Sequence, residues 1–381
     1  MKSQAEQRSL LVGGARRWVV KLGSNLLAPE GRDVRRERLA ALAAQVAALS
    51  REGREVVLVS SGAIASGMRM LGLKRRPEAI DEKQALAAMG QPELMRAYAE
   101  AFGAEGLKTA QVLLIQDDFQ ERRRSQRARA ALEAVLKRGV VPVINENDAV
   151  AVEEIRMGDN DVLSAMVALL LSADLLVILT DVDGLYTGRP GKDAGARKLD
   201  TVESVTPALR KAAGGSGSEV GSGGMATKLA AAERVTRAGR AAVIASGEDP
   251  KVLLRLARGE AVGTLFLPAG EKMPSVKRWL SSLNRCAGSI TVDTGARAAL
   301  VERGRSLLPS GIVRVAGGFK EGEAVSILDP AGREFARGVA HYSAGELGRI
   351  KGLKATEIAR VLGSSRGDEA VHRDNLLILE E

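Results

Sequence analysis

Histidine and cysteine are almost missing from this chain, with two of the first and one of the second among 381 residues. His341, His372 and Cys286 all lie late, so residues 1–285 contain neither type. That stretch lacks the parts for a Ser-His-Asp hydrolase, a cysteine nucleophile or a Cys/His zinc site. A single cysteine cannot form an internal disulfide, which agrees with a reducing cytoplasm. Aromatics make up only 3% of the residues, so aliphatic side chains must build the core. No apolar run is long enough to cross a bilayer. Leu10-Leu11-Val12 is too short for the apolar stretch of a secretory signal. Residues 1–17, polar and basic, read as a disordered leader.

What is present points to phosphate chemistry. At 45% hydrophobic and 27% charged, the chain reads as a soluble globular protein. Its length suggests two domains. Without histidine or cysteine, any chemistry in the larger part must use Lys, Asp, Ser, Thr, Asn and backbone N–H groups. Those parts suit phosphoryl transfer, where positioning and charge neutralisation do most of the work. The net charge of +9 raises the question of nucleic acid. Residues 288–381 hold thirteen basic and thirteen acidic side chains, so the whole excess lies before them. Arg122, Arg123, Arg124, Arg127 and Arg129 share one predicted helix, read as a solvated face or subunit contact rather than a nucleic-acid stripe.

Short apolar runs at residues 18–20, 56–59, 110–115, 140–144 and 175–179 suit strands buried on both faces of a parallel sheet. Helical patterns separate them at 35–51, 83–102, 119–137 and 161–171. This alternation predicts an α/β sheet layered on both sides by helices. A Gly/Ser-dense segment, 214–224, leads into a helix at 226–238 and a strand at 241–245. Beyond Gly288 the texture changes to short strands at 290–292, 311–315, 324–328 and 338–342. Turn signals between them predict a small, mostly β domain.

In open parallel sheets, ligands bind beyond the carboxyl ends of the strands. Four polar clusters fall there: Lys21-Leu22-Gly23-Ser24, Ser60-Ser61-Gly62, Asn145-Glu146-Asn147-Asp148 and Thr180-Asp181-Val182-Asp183-Gly184. Ser222-Gly223-Gly224-Met225-Ala226-Thr227-Lys228 is a glycine loop entering a helix, which favours anions. It is not a Walker A motif, which needs Lys directly after Gly. Alone, it reads equally as a flexible connector. Gly158-Asp159-Asn160-Asp161 precedes a helix, and alone it reads as a cap worth about 1 kcal/mol.

As a set, these motifs resemble the amino-acid kinase family in order and spacing. Val292-Asp293-Thr294-Gly295-Ala296 and Ser306-Leu307-Leu308-Pro309 resemble the PUA domain. The likeness implies a three-layer α/β/α sandwich on a mainly parallel sheet over residues 18–268. It further implies a linker at 269–287 and a PUA β-barrel domain at 288–381. The implied reaction is transfer from ATP, with Mg2+, to the 5-carboxylate of L-glutamate, the first step of proline synthesis. Relatives acting on acetylglutamate, aspartate or carbamate are the nearest alternatives. By resemblance, Lys21 and Lys228 meet the phosphates and Asp161 holds the two lysines. Gly23, Thr180, Asp181, Ser222, Gly223, Gly224, Met225, Ala226 and Thr227 contact nucleotide. Ser61, Asp148 and Asn160 hold glutamate, with Asn145 and Asn147 nearby, and no side chain is assigned to a metal.

The likeness also implies feedback inhibition by proline and a homo-oligomer, dimer or tetramer, in the cytoplasm and away from membranes. RNA binding by the PUA domain is disfavoured by its electroneutrality. One departure stands out: after Asp183-Gly184-Leu185-Tyr186-Thr187 the family usually continues Ala-Asp-Pro, whereas this chain has Gly188-Arg189-Pro190.

Overall fold

The structure is a computed structural model. It describes residues 3–27, 35–150, 160–188, 193, 195–214, 224–269, 273–283, 285–363 and 367–379. The chain divides into two compact units, one of Met1–Gln116 with Ala128–Lys272, the other of Asp117–Arg127 with Met273–Glu381.

The first unit is built on eight strands: β1 (Arg17–Leu22), β2 (Glu55–Val59), β3 (Thr109–Leu114), β4 (Val141–Glu146), β5 (Leu175–Thr180), β6 (Thr201–Val202), β7 (Ala241–Ser246) and β8 (Thr264–Phe266). They form one sheet in the order β3-β4-β2-β1-β5-β7-β8-β6. The strands from β3 to β7 are parallel; β8 turns antiparallel to β7 and carries β6 with it. The expected mainly parallel sheet is therefore present. Its central strands are apolar throughout because helices cover them.

In chain order the helices are α1 (Gln4–Arg8), α2 (Ser24–Leu27), α3 (Arg36–Arg51), α4 (Ala63–Met70), α5 (Ile80–Ala104), α6 (Asp117–Gln120), α7 (Arg122–Leu136), α8 (Asn160–Leu170), α9 (Pro207–Ala212), α10 (Met225–Arg237) and α11 (Val252–Ala257), of which α6 and the start of α7 belong to the second unit. Side chains on a strand alternate between faces. Trp18, Val20 and Leu22 share a core with α3, α5 and α11 residues such as Leu39, Leu94 and Leu253. Val19 and Lys21 therefore face the other way, toward α8, which packs on β1 and against α10. That parity puts a lysine under two helices.

The leader is a correction. Residues expected to be disordered form α1 and a helical turn at Ser9–Gly13. Ser3 and Glu6 make a capping box. Buried Arg8 donates to the carbonyls of Val262, Asp200 and Gly263 at 2.9, 2.6 and 3.1 Å. The helix expected at 119–137 is broken after Gln120 into α6 and α7.

The second unit adds α12 (Ser275–Ser282), β9 (Gly288–Val292), α13 (Thr294–Arg303), β10 (Ile312–Gly317), β11 (Ala324–Leu328), β12 (Glu334–Val339), α14 (Ala344–Ile350), α15 (Ala355–Leu362) and β13 (Leu376–Ile378). Its sheet runs β10-β9-β11-β12-β13, with only the β9–β11 pair parallel. Two expectations shift here. The last predicted strand, 338–342, lies at 334–339 instead, where Phe335 and Ala336 are buried. The expected linker holds α12, whose Leu280 packs with Ala324, Val339 and Leu377. Trp279 Nε1 donates to the Phe119 carbonyl at 2.7 Å. His341 and His372 stack at 6.4 Å between centroids.

Candidate active site

The parallel register brings the polar strand ends to one edge. Lys21 lies opposite Val59 and Ile178, Val59 opposite Ile144, and Thr180 opposite Ser246. Backbone bonds extend this ladder by one step: Gly23 donates to Leu179 O and Ser60 to Ile144 O, at 3.1 and 2.8 Å. Gly62 then turns the chain with φ +113 before α4, a conformation that favours glycine.

Two clusters meet at this edge. In the first, Asp161 on α8 lies between two ammonium groups, Lys21 Nζ at 2.5 Å and Lys228 Nζ at 3.0 Å. All three are buried, with Asp161 fully out of solvent. Burying charges costs several kcal/mol per ion unless they pair well, and one carboxylate serves both cations. Among the described residues, two ammonium groups share this one carboxylate. Thr227 Oγ1 lies 2.9 Å from Asp161 Oδ2 and 2.8 Å from Gly224 O, so its single hydrogen has two acceptors. Gly224 is the N-cap of α10 and offers no side chain to cap it.

The second cluster starts one residue earlier. Asn160 Nδ2 is 2.6 Å from Ser60 O, 2.7 Å from Ser61 Oγ and 3.0 Å from Asn145 Oδ1. Its two hydrogens are shared among three oxygens. Since Ser61 Oγ accepts there, its own hydrogen is left to point at another acceptor. Behind this group, Asn145 Nδ2 donates to Gln91 Oε1 at 2.9 Å. Ser60 Oγ bonds Tyr98 Oη at 2.8 Å. Burial pushes the Tyr98 phenol above its ordinary range, opposed by the Ser60 bond.

Of the residues picked from the sequence, Lys21, Asp161, Lys228, Thr227 and Gly224 form one group. Ser61, Asn145 and Asn160 form the other. Met225 and Ala226 lie in the first turn of α10. Asn147 and Asp148 follow in the half-buried turn after β4. Thr180 Oγ1 donates to Asp181 Oδ1 at 3.0 Å, so those two bond each other. Ser222, Gly223, Gly158, Asp159, Arg189 and Pro190 lie outside the described residues. Gln91 and Tyr98 were missed, because both read as interior positions of an ordinary helix.

The amino-acid kinase family model matches residues 16–246 and a PUA domain model matches residues 288–362. The chain belongs to the amino-acid kinase family, with a PUA domain following in sequence. The chain is similar to glutamate 5-kinase of Geobacter sp. (strain M21), 52% identical over 98% of this chain and 100% of the relative. It is also similar to glutamate 5-kinase of Methylobacillus flagellatus, 50% identical over 95% of this chain and 97% of that protein. Among the described residues no helix is long and apolar enough to cross a membrane.

Proposed function

We propose that the protein transfers the γ-phosphoryl group of ATP to the 5-carboxylate of L-glutamate, giving ADP and L-glutamyl 5-phosphate, the opening step of proline synthesis. The observation that carries this reading is the buried Lys21–Asp161–Lys228 group, touching the Ser61–Asn145–Asn160 group through adjacent residues of α8. Full-length likeness to glutamate 5-kinases supports the choice of acceptor.

The chemistry needs no proton transfer to begin. A side-chain carboxyl with a pKa of about 4.3 is ionised at neutral pH, so the nucleophile is ready. The obstacle is an anion approaching a polyanion. In this reading Lys21 and Lys228 neutralise the phosphoryl oxygens as charge spreads over them in the transition state. Asp161 acts as the strut that holds both ammonium groups in place, not as a base. Gly23, Thr180, Asp181 and residues 222–227 complete the nucleotide end. Ser61, Asn160 and Asp148, with Asn145 and Asn147, form the glutamate end.

Magnesium, the usual companion of ATP, would bring charge neutralisation with the triphosphate. Among the described residues no three His, Cys, Asp or Glu side chains are grouped to hold a metal. In this reading the ion would come with the nucleotide and supply charge neutralisation there, as suits its reluctance to dehydrate. Inhibition by proline at the glutamate end, assembly into a homo-oligomer and a cytoplasmic location belong to the same proposal.

The test is ADP release by the pure protein with ATP, magnesium and a panel of glutamate, acetylglutamate, aspartate and carbamate. Glutamate alone should support turnover, and Lys21→Ala or Lys228→Ala should abolish most of it. Preference for another acceptor, or near-normal turnover in either variant, overturns the assignment.

A further inference from the structure

We propose that Gln91 on α5 is a positioning residue for glutamate, acting through Asn145 on the amide of Asn160. A backbone hydrogen sets the first direction, since an N–H can only donate. The N–H of Glu146 donates to Asn145 Oδ1 at 3.0 Å, which fixes which end of that buried amide is oxygen. Nδ2 of Asn145 is then turned to Gln91 and must find an acceptor, and it finds Oε1 at 2.9 Å. On its other side Asn145 Oδ1 receives Asn160 Nδ2 at 3.0 Å. Each amide sets the next, from Gln91 through Asn145 to Asn160. The Asn160 nitrogen is thereby held toward Asn145, Ser60 and Ser61.

The order has a cost, and that cost indicates its purpose. Gln91 is 7% exposed, and its Nε2 is buried without a hydrogen-bond partner among the described residues. A buried donor left unpaired is a penalty, not a stabiliser. Turning the amide over would not repair it, because Nε2 would then meet the donor Nδ2 of Asn145. Gln91 is thus held against its own hydrogen-bonding interest, in the one orientation that presents an acceptor. Tyr98 lies seven residues on, on the same face of α5, and holds Ser60. One helix therefore braces the turn after β2 and the last residues of β4.

This rests on reading Ser61 and Asn160 as the glutamate end, and the experiment separates the two. Steady-state KM values for glutamate and ATP are measured in the full chain for Gln91→Met, Asn145→Ala, their double variant and Asn160→Ala. Gln91→Met should raise KM for glutamate by about tenfold or more, with KM for ATP within about twofold. The double variant should be no worse than Asn145→Ala alone, since one residue acts through the other. Gln91→Glu, which keeps an oxygen for Asn145, should lie within about threefold of the parent in KM for glutamate, and it stands alone if the Met variant does not fold. An unchanged KM for glutamate in Gln91→Met, additive effects in the double variant, or a Glu variant as impaired as the Met variant overturns the proposal. If Asn160→Ala raises KM for glutamate while Gln91→Met does not, the relay alone fails. If neither moves it, the glutamate end has been misplaced.

Discussion

Replacing Asp161 by Asn tests the charge logic of the site most directly. The substitution keeps shape and hydrogen bonding to Thr227 but removes the negative charge that pairs with both buried ammonium groups. Breaking a buried ion pair by removing one partner typically costs about 3–5 kcal/mol, because an uncompensated charge stays inside. Here two cations lose the same partner. The ion-pair distances put the two nitrogens no more than about 8 Å apart, where like charges repel by roughly 2 kcal/mol at an effective dielectric of 20. The ligand-free variant should therefore unfold roughly 10 °C below the parent in a thermal scan. Nucleotide should change the picture. The variant's site carries one negative charge fewer than the parent's, so a polyphosphate such as ADP should raise the variant's midpoint by more. Turnover should fall by about 100-fold or more, because the lysines lose the strut that aims them at developing charge. A variant with the parent's ligand-free midpoint and the same ADP shift would refute the reasoning.

Gly67 and Gly90 let α4 lie against α5; a Cβ on Gly90 would stand 1.9 Å from Ala63 O and 2.3 Å from Gly67 N. Gly90→Ala should lower the thermal midpoint and raise KM for glutamate, despite the ~1 kcal/mol that alanine gains in a helix; an increased midpoint would show that the two helices part easily. Glu133 accepts from Arg17 at 2.8 and 3.1 Å, and that bond, against burial, holds its carboxyl below the ordinary range. A depressed folded pKa gives stability that is present above the unfolded value and lost as pH falls through the folded one. Glu133→Gln should therefore be less stable than the parent at pH 7, by about 1 kcal/mol, with the gap closing in acid. Denaturant midpoints measured against pH check this, and a constant gap would contradict it.

The central sheet was legible because strands covered on both faces leave continuous apolar runs, as in Val56-Val57-Leu58-Val59. β6 and β8 were not, since two and three residues are too few to show any period. The leader helix carried a local signal in Ser3 and Glu6, three apart. What holds it is tertiary, the three carbonyls that gather around Arg8. In the site, Lys21 was legible from its place at a strand end, and Asp161 only from the motif it shares with its family. Gln91 had no signature at all. Its partner Asn145 lies 54 positions away, so its role is written in the packing of α5 under β4 and not in its own neighbourhood.

The absence of histidine from the first 285 residues has a consequence for pH. Catalysis by a general base gives turnover an acid limb at the pKa of that base. Here the nucleophile is a carboxylate that ionises at about 4.3 in the free amino acid side chain. Asp161, a fully buried carboxylate at the reacting edge, already pairs with Lys21 and Lys228, and accepting a proton would cost both ion pairs. The substrate carboxylate supplies no ionisation near neutrality. Turnover at saturating glutamate and ATP should therefore be level from about pH 6 to 8, with any fall confined to stronger acid. A sloping acid limb centred between pH 6 and 7 would reveal a base that this arrangement does not contain, and would return Asp161 from strut to proton acceptor.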